Sequence, residues 1–157
     1  MASIIFGLIG HLPAASQVFR SVVLVHGEPV HITLAADKFE PRDHSFTRGA
    51  HGELLVDGIH AIGTDSFDPQ RYLSRFEVDW NGHGIRIPRQ LFQFVFNPSL
   101  EKKTSSFDDK GSVLVLPSDT EDSVLIMLSG GDGAGAFNGW WIVQKNGRIA
   151  RFSDGPP

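Results

Sequence analysis

Apolar and polar residues alternate along much of this chain, and turn-forming pairs cut the alternation into short runs with no sustained helical spacing. An Asp-Gly or Asn-Gly pair between apolar runs predicts a two-residue hairpin, because both central residues of a type I′ turn need positive φ. At Asp57-Gly58 this sets Val56 against Ile59 and Leu54 against Ala61. At Asn81-Gly82 it sets Trp80 against His83, Val78 against Ile85 and Phe76 against Ile87, with a Glu77–Arg86 pair on the other face. The same construction at Asn146-Gly147 pairs Val143 with Ala150 and Trp141 with Phe152.

A fourth hairpin, over residues 22–34, turns at residues 27–30. Pairing His26 with His31 gathers Val23, Val25, Ile32 and Leu34 on its inner face. Residues 112–116 and 123–129 form a fifth, across the polar segment that starts at Pro117. Residues 88–96 suit a short helical turn, with Pro88 at its start. Residues 37–51 and 101–110 are polar and charged and are expected as flexible loops. The pattern therefore predicts an all-β, mainly antiparallel, single globular domain over 1–157. Its architecture is a β-sandwich or partly open β-barrel of consecutive hairpins, with at most one short helix.

Composition supports a folded core: 41% of the 157 residues are apolar and 20% charged, too apolar for a disordered chain. The net charge of −4 comes without a basic run, which argues against nucleic acid as a partner. No run reaches the about 18 apolar residues of a membrane span. Residues 1–16 loosely resemble a signal peptide but lack its basic start, so they are expected as a core strand and loop. Cytoplasmic residence is favoured and secretion is the alternative. With no Cys, disulfide and thiolate chemistry are excluded.

Among residues that could carry chemistry, Gly130, Gly131, Asp132, Gly133 and Gly135 form a glycine-rich loop just before Trp140 and Trp141. Its glycines permit close backbone approach, and Asp132 could serve a ligand; the spacing matches neither a P-loop nor a dinucleotide fingerprint. The bland alternative is a bulged connection in which glycine makes room for a Trp ring. Adjacent strand residues point to opposite faces, so one of Trp140 and Trp141 belongs in the core and the other on a surface. His26 and His31, if paired, could share a divalent metal such as Zn²⁺, with His44, His51 or His60 joining from loops. Asp65 and Asp68 could act as bases or ligands but suit Asx-turns. Ser129 lacks a nucleophile elbow.

No complete catalytic constellation emerges, so the leading reading is a non-catalytic domain that binds a small ligand, carbohydrate or protein. It would use the loop at 130–135 with the neighbouring Trp. A second reading is a small metal-dependent, hydrolase-like enzyme built on His26, His31 and a carboxylate. A third is a structural or inhibitory partner protein, such as a homodimer that covers a strand edge.

Overall fold

The computed structural model describes residues 16–64, 69–100, 113–131 and 135–154. Three hairpins close on two-residue turns whose central residues both have positive φ: His26-Gly27, Asp57-Gly58 and Asn81-Gly82. They join β1 (Gln17–Val25) to β2 (Glu28–Lys38), β4 (Leu54–Val56) to β5 (Ile59–His60), and β6 (Arg71–Trp80) to β7 (His83–Ile85). β3 is Phe46–Arg48, and β8 (Val113–Pro117), β9 (Ser123–Gly130), β10 (Phe137–Gln144) and β11 (Ile149–Asp154) complete the order. Among the described residues, Pro41–Asp43 and Arg89–Leu91 form 3₁₀ turns, the second within the segment that begins at Pro88.

Every sheet is antiparallel. The first has strand order β1-β2-β6-β7 and the second β11-β10-β9-β8; a small third sheet has order β3-β4-β5. The two four-stranded sheets enclose one core. Phe19, Val25, Val30, Ile32, Leu34 and Trp80 come from the first, and Ile126, Leu128, Trp141 and Val143 from the second. Phe76 meets Trp141 edge-on across the gap, with ring centroids 5.3 Å apart. Val23 packs against this cluster, so the inner face expected for the first hairpin is formed.

A β-bulge between Ala35 and Ala36 rotates the end of β2 toward a second cluster. Ser74 is the extra residue opposite, and its hydroxyl donates to the Ala35 carbonyl at 3.2 Å. Beyond the bulge, Phe39 packs with Phe96, with Leu54 and Val56 of the small sheet and with Ala61 just after it. Residues 37–51 are thus not the flexible loop that their charge suggested. Phe39 is buried, Pro41–Asp43 forms a turn and β3 pairs with β4, because Phe39 and Phe46 have an apolar site to fill. Residues 101–110 lie outside the described residues.

Three expected pairings are corrected. His26 takes φ 49 and becomes a turn residue, so His31 lies opposite Val22 and not opposite His26. β7 ends at Ile85, and Glu77 contacts Arg75 at 3.7 Å in place of Arg86. At Asn146-Gly147 only Gly147 has positive φ, at 84. The loop there holds three residues, closed by Gln144 N–H to Arg148 O at 2.9 Å, and the ladder shifts by one: Val143 faces Ile149, Trp141 faces Arg151 and Trp140 faces Phe152. This is the geometry of a type I turn followed by one left-handed glycine.

Candidate functional site

The one-residue shift changes which side chains share a surface, since strand side chains alternate between faces. Trp141 points inward and is only 1% exposed; its indole N–H donates to the Leu91 carbonyl at 2.8 Å. Gly139 leaves room for this ring, because a Cβ there would lie 2.8 Å from the indole. Arg151 lays its guanidinium 5.9 Å from the same ring, and partial burial pulls its pKa below the usual arginine value.

Trp140 points the other way and stands in register with three large apolar neighbours. Leu114, Met127, Trp140 and Phe152 form an unbroken row across β8, β9, β10 and β11. Two residues along each strand runs a second row: Leu116, Leu125, Ile142 and Ala150. None of the eight belongs to either buried cluster, and Phe152 and Leu116 are 55% and 42% exposed. The rows carry no charged side chain. Polar residues bound them: Ser129, whose hydroxyl donates to the Asn138 side chain at 2.8 Å, at one end, and Gln144 at the other. An apolar centre with a polar rim is the anatomy of a protein-binding surface.

Of the glycine-rich loop, Gly130 ends β9 and Gly131 follows it. Gly130 and Gly131 pack against the backbone of Asn97 and Pro98: Gly131 N–H donates to Asn97 O at 3.0 Å, and a Cβ on Gly130 would fall 2.6 Å from that oxygen. Gly131 has φ 89, and a Cβ there would strike the carbonyl of Gly135. Asp132 and Gly133, with Asp65 and Asp68, lie outside the described residues. A groove of about 510 Å³ opens nearby between Gln17, Val18, Arg71 and residues 97–100, with no loop glycine or Trp in its lining.

His26 and His31 do not form a pair, so the geometry that suggested a shared metal is not built. Among the described residues, no three His, Asp or Glu side chains come together as metal ligands. His26 does something else. It reaches from the β1–β2 turn to the second sheet, with Nδ1 3.0 Å from Asp122 Oδ1 and Nε2 3.3 Å from the Asp119 carbonyl. Both ring nitrogens face acceptors, an environment that only the doubly protonated imidazolium satisfies. The Asp122 hydrogen bond, then that of Asp119, raise its pKa above 6.5. Beside it Lys145, in the β10–β11 turn, reaches Glu28 at 2.7 Å, and Glu28 also accepts from the Trp80 indole at 2.7 Å. Two ion pairs thus tie the turns of one sheet to those of the other.

A His–Asp–Ser grouping occurs in the small sheet but lacks the relay order of a nucleophilic triad. His44 Nδ1 lies 2.7 Å from Asp57 Oδ2, while the Ser45 hydroxyl donates to the same carboxylate at 3.1 Å. The His44 ring stacks on Phe39 with centroids 4.7 Å apart. The grouping holds β3 against the β4–β5 turn.

No helix among the described residues is long and apolar enough to cross a membrane. No known protein family, curated protein or solved structure matches this chain.

Proposed function

We propose that this chain is a non-catalytic binding domain, and that the outer face of β11-β10-β9-β8 is the surface it presents to a protein partner. The observation that carries this reading is the row of Leu114, Met127, Trp140 and Phe152, partly or well exposed across all four strands. Leaving such a patch in water costs solubility and adds nothing to the fold's own core, so its use lies in being covered. An apolar sheet face of this kind suits another protein surface better than a small molecule, which needs a concavity.

Binding of the apolar dye anilinonaphthalene sulfonate to dilute native protein tests the surface. The wild type is expected to enhance dye fluorescence, and the double variant Trp140→Ser, Phe152→Ser to lose most of that enhancement while keeping its β circular-dichroism spectrum. A wild type that fails to bind the dye while fully folded would overturn the reading.

A further inference from the structure

We propose that the partner of this face is a second copy of the same chain, docked face to face around a two-fold axis that runs across the strands between the two apolar rows. This rests on the binding-face reading and deepens it. A two-fold axis lying in the interface exchanges the rows, so each copy's row of large side chains lies over the other's row of smaller ones. Phe152 then meets Ala150 of the second copy, Trp140 meets Ile142, and Met127 meets Leu125. Large against small at facing positions is what lets two stacked layers interdigitate, as in the domain's own core.

Charge and area point to the same occupant. The chain carries a net charge of −4, so two copies repel wherever their charged surfaces meet, yet these rows bring no charged group to the contact. A partner chosen by charge would find no counter-charge in the rows. Four strands at about 4.8 Å spacing and five to eight residues long, at about 3.4 Å each, project to roughly 440 Å². That is below the about 800 Å² per partner of a standard interface and is the size of a pair that associates weakly and reversibly.

Sedimentation velocity of the full chain from low to high micromolar concentration tests the pairing, with dye binding measured on the same samples. The expected result is a monomer–dimer shift in the wild type, accompanied by falling dye binding as the dimer forms. Ala150→Phe is expected to weaken self-association about tenfold or more, since it sets Phe against Phe, and adding Phe152→Ala in the same chain is expected to restore it. Circular dichroism guards against misfolding. A dimer indifferent to both variants, or a double variant no better than Ala150→Phe, would overturn this arrangement. A monomer at all concentrations that binds the dye would overturn the second copy and leave the face to another protein. A folded monomer that binds no dye would overturn both readings.

Discussion

Trp140 and Phe152 stand directly opposite each other on β10 and β11, on the outer face of a sheet whose inner face is filled by Trp141. Two adjacent indoles therefore serve different ends. Trp141→Ala is expected to cost about 3–5 kcal/mol by chemical denaturation, because it empties a fully packed site. Trp140→Ala, measured at a concentration where the chain is monomeric, is expected to cost less than about 1 kcal/mol. Equal losses would mean that Trp140 is part of the fold's core after all.

Gly130 and Gly131 differ in kind from the glycines of the hairpin turns. Gly147 has open space around its Cβ position, so Gly147→Ala carries only the left-handed backbone penalty, about 1–2 kcal/mol. Gly131→Ala carries that penalty and a collision with the Gly135 carbonyl, so it is expected to lower the midpoint of unfolding clearly further. Parallel urea titrations of the two variants make the comparison.

His26 holds the two sheets together more strongly when it is charged. Its folded pKa is raised, so the contribution is fully present below its ordinary value of 6.5 and is lost as pH rises through the raised value. Comparing Tm against pH for the wild type and Asp122→Asn should show the wild-type advantage at the acid side of that window and its disappearance above it. Titration of the His26 ring protons by NMR should report a lower pKa in the variant. An unchanged ring titration would mean that Asp122 is not its partner in solution.

Asp57 behaves with the opposite sign. Its hydrogen bond from His44, then that from the Ser45 amide, hold its carboxyl below the usual aspartate value. The stability it supplies is present above the ordinary aspartate pKa and is lost as pH falls through the lowered one. Amide protection factors in β3, β4 and β5, taken relative to intrinsic exchange at each pH, are expected to fall on acidification before those of β9 and β10 do, and Asp57→Asn is expected to remove this difference.

The sequence made hairpins legible wherever the turn chemistry was unambiguous. Asp57-Gly58 and Asn81-Gly82 place both central residues at positive φ, and their registers follow directly from that geometry. Asn146-Gly147 has the same residue types but a three-residue loop, and nothing local to the pair separates the two turn forms. That single step turned Phe152 away from Trp140 and hid the apolar row, which also needs β8 and β9 in register to be seen. His26 was missed as a turn residue because a left-handed His is uncommon next to the Gly27-Glu28-Pro29 sequence that resembles a turn itself. The bulge at Ser74 left no sequence mark at all, since it depends on where β2 must bend to reach the second cluster. The opposite orientations of the tandem Trp pair followed from strand alternation alone.

The second sheet is a meander in which each strand pairs with the next one along the chain, whereas β2 of the first sheet must find β6 across the whole of the small sheet. Closing a long loop before any pairing rewards it is the entropically dearest kind of step, and local pairings are the quick ones. Strands β8 to β11 can therefore pair from neighbours alone, and bringing β2 beside β6 carries the larger loop-closure cost. A chain paused at that point already displays Trp140 and Phe152, but with Trp141 and Ile126 still wet on the other side. A meander formed ahead of the first sheet would be apolar on both faces and would become one-sided only on docking.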